Sequence, residues 1–166
     1  SLTTLVVSGD GDLADIGGNH LIHAARRNID ITVICANNMN YGMTGGQVCA
    51  TTPVGALTHT TPTGNSYRPF DLCSLVRAAG AGYAARYLVT QGPELVSAIK
   101  KAIGIKGFSF VEAVSPCPTQ FGRQNHLDSV KEAYAYVESL AVSREDFEAG
   151  KTAGGVTLVT GEFERE

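Results

Sequence analysis

The sequence predicts an α/β fold, a single domain whose mostly parallel sheet carries helices on both faces. Three observations lead there. Strand-like runs at 3–8, 31–36, 83–89 and 108–114 alternate with helical segments. The β-branched run at 3–8 has no clear alternation, as expected of a strand covered on both faces of a parallel sheet, and 31–36 reads as a second buried strand. The 166 residues suit one core, and a hydrophobic share of 43% against 17% charged can fill it. With 13 basic and 16 acidic residues the net charge is −3, which offers no electrostatic footprint for nucleic acid or an anionic membrane. Neither partner is expected.

Each element follows in order. The first strand, 3–8, ends at Gly9-Asp10-Gly11-Asp12. A helix follows from Asn19, which is a good N-cap, to Arg26 and Arg27, whose charges suit a helix C-terminus. The strand at 31–36 completes a βαβ unit, which is parallel and right-handed. Residues 37–70 are crowded with Gly, Thr, Pro and Asn and lack periodicity, a loop too long for a compact domain unless it has a function. A capped helix is expected over 71–79, a strand over 83–89, and a helix from Gly92 to about Ile103 with Pro93 in its first turn. The strand at 108–114 leads to a Ser115-Pro116-Cys117-Pro118 turn, a helix over 127–140 and a last short strand over 156–159.

Four cysteines, Cys35, Cys49, Cys73 and Cys117, include no C-x-x-C pair, which excludes a self-contained zinc or redox knuckle. No secretory leader pattern or long apolar run is present in the sequence, and a reducing, cytoplasmic home is the expectation. The 19 glycines of 166 residues exceed the usual share of about 7% and point to backbone that approaches a ligand closely.

In open α/β sheets, ligands bind beyond the carboxyl ends of the strands. The first such end carries Asp10 and Asp12, and the second carries Asn37, Asn38 and Asn40. If the two strands are neighbours about 4.8 Å apart, these side chains share one rim. Their oxygens can then converge on a hard divalent cation, which needs only one or two carboxylates besides ligand phosphates. Gly17-Gly18-Asn19 would place a helix N-terminus beside them as a phosphate cradle. The rival is a dinucleotide loop, Gly9-x-Gly11-x-x-Ala14. It is disfavoured because Asp10 and Asp12 would face a diphosphate without counter-charge, at a cost of roughly a few kcal/mol per contact at about 4 Å. The acidic residue it expects after the second strand is also missing, since Asp30 precedes that strand.

Gly9-Asp10-Gly11-Asp12 followed by Asn37-Asn38 resembles the thiamine-diphosphate motif. The longer strings G-D-G-D-L-A-D-I-G-G-N-H-L-I-H-A-A-R-R-N (9–28), N-N-M-N-Y-G-M-T-G-G-Q (37–47) and S-P-C-P-T-Q-F-G-R-Q-N (115–125) resemble the β subunit of 2-oxoacid:ferredoxin oxidoreductases, most of all the 2-oxoglutarate type. The resemblance covers residues 5–126. It implies a thiamine-diphosphate-binding fold, with residues 1–166 as the diphosphate-binding domain of a longer β subunit. It further implies magnesium held by the Asp10 and Asn38 side chains and the Asn40 backbone carbonyl. Gly9, Gly11 and Asp12 would accompany them, and Gly42, Met43 and Thr44 would close over the diphosphate, with residues 43–53 approaching the thiazolium and substrate. The implied activity is oxidative decarboxylation of a 2-oxoacid to its coenzyme A thioester, 2-oxoglutarate giving succinyl-CoA. Electrons would pass through a 4Fe-4S cluster to ferredoxin, and an α subunit would complete the cofactor site. The same motif serves pyruvate and branched or aromatic 2-oxoacids, and a non-catalytic dinucleotide module or a structural remnant are the readings from other classes.

The chain departs from that family in lacking an N-terminal segment with a C-x-x-C pair and a further cysteine. Cys117 matches the remaining cluster ligand, meaningful only in a full-length parent. Cys35 and Cys73 read as core thiols. Cys49 stands where the resemblance expects serine, followed by Ala50 rather than proline, so no role transfers to it. His20 is expected to line the site, His23 to pack structurally, and Arg26 and Arg27 to be solvated. The threonine-rich stretch 51–63 reads as a loop ordered by ligand or partner. Arg123 could meet a substrate carboxylate, coenzyme A or another subunit, and the sequence leaves these open.

Overall fold

The structure, a computed structural model, describes residues 2–151 and 158–163. Six strands form one sheet in the order β1-β2-β4-β3-β6-β5. They are β1 (Leu5–Gly9), β2 (Thr32–Asn37), β3 (Tyr83–Leu88), β4 (Ser109–Val114), β5 (Ala141–Ser143) and β6 (Leu158–Glu162). The β1-β2-β4-β3 block is parallel throughout, β6 runs antiparallel to β3, and β5 runs parallel to β6. The sheet is therefore mostly parallel, as predicted, with one reversed strand pairing that arises in the final segment.

Helices α1 (Gly18–Arg26) and α2 (Leu72–Ala78) cover one face, where Leu21, Ala25, Leu72, Cys73 and Val76 pack on Val33, Cys35, Ala84 and Phe110. On the other face α3 (Gly92–Gly104) packs Ala98 and Ala102 against Tyr83, Ala85 and Val111. A third apolar cluster gathers Met39, Leu88, Val114, Cys117, Phe121 and Val137, the last from α4 (Val130–Ser139). Cys35 and Cys73 are core thiols, as expected.

Helix ends follow local chemistry. Asp71 caps α2 by accepting from the Ser74 N–H, and Ser129 and Glu132 form a reciprocal capping box on α4. That box moves the start of α4 to Val130 from the expected 127. The short α5 (Arg144–Glu148), capped by Ser143, and the strand β5 were not anticipated. The strand expected over 156–159 begins outside the described residues, and β6 takes up its described part.

Two further expectations are corrected. Among the described residues nothing covers the second face of β1, which stands at the edge of the sheet with Leu5 and Val7 47% and 64% exposed. Asn19 does not cap α1, because the chain turns helical earlier. Asp10 and Gly11 already follow a helical path, Asp12–Ile16 form a π-helical turn, and Gly17 is the cap residue of α1.

Candidate functional site

Asp10 is the first residue beyond β1, and Asn38 the first beyond β2. The parallel pairing of Gly9 with Ala36 brings them to one rim, and the Asn38 N–H donates to Asp10 Oδ1 at 3.4 Å. Asp10 is only 2% exposed. Its other oxygen, Oδ2, accepts from the Thr51 hydroxyl in a very short contact and from the Cys49 thiol at 3.2 Å. Burial pushes the Asp10 pKa above the usual carboxylate range, although these donors favour the charged form. A cation beside Oδ1, which accepts only the long Asn38 N–H bond, would offset the burial cost.

Asn40 donates its N–H to Asn38 Oδ1 at 3.3 Å. Its own side-chain Oδ1 is buried with no hydrogen-bond partner among the described residues, an arrangement that normally calls for an explanation such as an ion. Gly42 faces this oxygen. A Cβ built there would lie 3.3 Å from Asn40 Oδ1, 3.3 Å from Cys117 Sγ and 3.5 Å from Asn38 Nδ2. A side chain at position 42 would therefore crowd the Asn40 oxygen and the Cys117 thiol, with the Asn38 amide nitrogen in ordinary contact. One carboxylate with two amide oxygens is a hard donor set of the kind magnesium uses, with phosphate and water completing the shell.

The remaining expected residues are distributed unevenly. Gly9 lies at the end of β1 without crowding. Gly11 is constrained by Tyr41, since a Cβ there would come within 2.4 Å of the ring. The Tyr41 hydroxyl bonds Gly11 O at 3.0 Å and Asp15 Oδ2 at 2.8 Å. Asp12 is exposed and accepts from the Ser8 hydroxyl at 3.4 Å rather than joining Asp10. Met43 and Thr44 form the exposed tip of a loop closed by a Tyr41–Gln47 bridge, with Thr44 bonded to Gln47. Gly17-Gly18-Asn19 is not the helix end that meets the strand rim: the Gly17 N–H is already bound to Asp12 O at 2.9 Å, and the helical path starts at Asp10.

Cys117 closes the far side of the cluster. Burial alone would raise its pKa, but the N–H groups of Phe121 and Gln120, the Thr119 hydroxyl and the Asn40 amide outweigh that and hold the thiol below its usual value. Cys49 behaves oppositely. Burial and the Asp10 carboxylate push it up to about 11, so it stays a thiol and a donor at neutral pH. His20 and His23 are exposed and share an outer groove of α1 with Arg27, so His20 does not line the site. Arg26 donates to His23 Nδ1 at 3.4 Å, and Arg26, Arg27 and Arg123 are all exposed.

Sequence reasoning missed Thr51, Thr52, Cys49 and Tyr41. The Thr51-Thr52 segment is tied to the rest of the chain by several bonds. Thr52 donates to Met39 O at 2.8 Å and receives the Cys49 N–H at 2.9 Å, and Asn65 donates to Thr52 O at 2.8 Å. Asp30, the acid a dinucleotide reading would have wanted at this rim, instead accepts from the Gly107 N–H at 2.9 Å at the other end of β2.

Residues 2–113 match the family described as thiamine pyrophosphate enzyme, C-terminal TPP binding domain. This chain belongs to that family. The TPP-binding domain is 53% identical over 144 residues to the 2-oxoglutarate synthase subunit KorB of Methanothermobacter marburgensis, covering 87% of this chain and 50% of that one. It is 57% identical over 121 residues to the KorB of Methanocaldococcus jannaschii, covering 73% and 45%. It also superposes with a TM-score of 0.82 on a solved 2-oxoglutarate:ferredoxin oxidoreductase from Magnetococcus marinus with 2-oxoglutarate, coenzyme A and succinyl-CoA bound. That match is 28% identical and covers 100% of this chain and 57% of that one. The TPP-binding domain spans about half the length of the curated relatives it matches. Among the described residues, no helix is long and apolar enough to cross a membrane.

Proposed function

We propose that this TPP-binding domain holds the diphosphate of thiamine diphosphate through a magnesium ion, as part of the β subunit of a 2-oxoglutarate:ferredoxin oxidoreductase. Residues 1–166 would be the diphosphate-binding domain of that longer subunit, working with an α subunit, coenzyme A, the 2-oxoacid and ferredoxin in the cytoplasm. The observation that supports the reading is the buried Asn40 Oδ1, without a hydrogen-bond partner among the described residues, two residues beyond Asn38, whose N–H bonds Asp10.

When bound, thiamine diphosphate supplies the carbanion chemistry that lets a 2-oxoacid lose carbon dioxide. The protein's part is to bind and orient. Thr51 and Cys49 saturate Asp10 Oδ2, which leaves Oδ1 as the carboxylate oxygen for the metal. Asn38 would add its side-chain oxygen and Asn40 its backbone carbonyl, as the resemblance implies, with the buried Asn40 Oδ1 a further neutral oxygen at hand, so the site carries one negative charge and retains attraction for a cation that also binds phosphate. Gly9 and Gly11 keep the strand end compact, and Asp12 stands at its exposed margin. Met43 and Thr44, at the tip of the 41–47 loop, would lie over the bound diphosphate.

An iron–sulfur cluster does not fit this chain alone. Cys117 offers one thiolate where a cubane cluster takes four, and no group of three or more His, Cys, Asp or Glu that could hold a metal lies among the described residues.

The test is calorimetry on the full-length β subunit with its partner, titrating thiamine diphosphate with and without magnesium, and NAD in a parallel arm. Metal-dependent binding of thiamine diphosphate alone is expected, and metal-independent NAD binding would overturn the reading. Turnover on a panel of 2-oxoacids then tests the substrate, with 2-oxoglutarate expected ahead of pyruvate and branched or aromatic acids.

A further inference from the structure

A buried ionic group behind the rim is joined to it by one hydrogen bond. Arg86 in β3 and Glu112 in β4 are neighbours across the sheet, each 1% exposed, and Arg86 Nε donates to Glu112 Oε2 at 2.8 Å. Arg86 Nη2 also donates to Asp71 Oδ1 at 2.6 Å. A pair this deep in an apolar core gains little net stability, because desolvation cancels most of the attraction. Its position invites another explanation. The second oxygen of Glu112, Oε1, accepts from Asn37 Nδ2 at 2.7 Å, and Asn37 Oδ1 accepts the Met39 N–H at 2.9 Å. Met39 is a buried non-glycine residue at φ +63°, and it lies between Asn38 and Asn40. Such strain persists only where neighbours over-determine it.

We propose that Arg86 and Glu112 are positioning residues that act through Asn37, locking its amide so that the left-handed Met39 turn presents Asn38 and Asn40 to the magnesium–diphosphate site. The proposal rests on the cofactor reading above. Glu112 is suited to the task because a carboxylate accepts on both oxygens, Arg86 on one side and Asn37 on the other. An amide at position 112 would turn an N–H toward one of these donors.

The experiment is a double-mutant cycle in the full-length complex, reading Mn²⁺ affinity by electron paramagnetic resonance in the presence of thiamine diphosphate. Glu112→Gln sets a donor against a donor, and Asn37→Asp sets a carboxylate against a carboxylate. Each single variant is expected to weaken Mn²⁺ binding at least tenfold. The Asn37→Asp/Glu112→Gln double variant exchanges donor and acceptor, leaves every group satisfied, and is expected to return within about threefold of the wild type. A core variant outside the network, Val76→Ala, is expected to lower thermal stability without changing Mn²⁺ affinity. Wild-type affinity in the single variants, or no recovery in the double variant, overturns the proposal, the latter even if the single variants fail to fold. Absence of Mn²⁺ binding in the wild type would instead overturn the cofactor reading.

Discussion

Gly42 is dictated by its neighbours rather than by its own backbone, since it does not adopt a positive φ. Gly42→Ala would push a methyl group against Asn40 Oδ1 and Cys117 Sγ. The expected result is thermal stability close to wild type with magnesium and thiamine diphosphate affinity reduced at least tenfold, about 1.4 kcal/mol, measured by calorimetry on the intact complex. Around Asp10 the two donors make different predictions. Thr51→Val removes the shortest bond to Oδ2, and metal affinity should fall several-fold. Cys49→Ser keeps a donor in place and should leave metal affinity within about twofold. Asp10 and Asn38 were legible in the sequence because parallel neighbours with polar residues at their ends must share a rim. Thr51 and Cys49 were not, because they reach Asp10 from a loop with no hydrophobic period, where spacing says nothing about proximity.

Among the elements, α2 shows how a cap can also serve the core. Asp71 accepts from Ser74 at the helix start and pairs with Arg86 from β3. Burial raises its pKa, but the Arg86 guanidinium and the Ser74 donors outweigh that, and the carboxyl titrates below its ordinary 3.8. A lowered carboxylate pKa adds stability that is present above the unfolded value near 3.8 and is lost as pH falls through the folded value. Asp71→Asn retains a good N-cap but loses the charge. Urea midpoints followed from pH 7 to pH 2.5 should show wild type ahead at neutral pH and the two curves converging in acid. The existence of α1, α2, α3 and the four parallel strands was legible from runs and punctuation. The start of α1 was not, because helical backbone begins at Asp10 and passes through a π-helical turn that no capping residue announces. β5 and α5 were missed for a related reason: three and five residues carry too little pattern to register.

For the whole molecule, the exposed edge strand sets the behaviour in solution. α3 packs on β3 and β4 and only lightly on β2, so Leu5 and Val7 stand bare on that face. An open apolar edge strand is a template for self-association. The isolated chain is expected to associate with rising concentration in sedimentation velocity, and Val7→Thr should shift that onset upward while leaving the thermal midpoint within about 2 °C. The order of pairing also has a consequence for synthesis. β4 is the last of the four parallel strands to be made, yet it is inserted between β2 and β3. A nascent chain that has emerged only as far as α3 therefore has no continuous sheet, and Asn37 still lacks Glu112. The Asn37–Glu112 bond behind the proposed cofactor rim therefore forms only once β4 has left the ribosome.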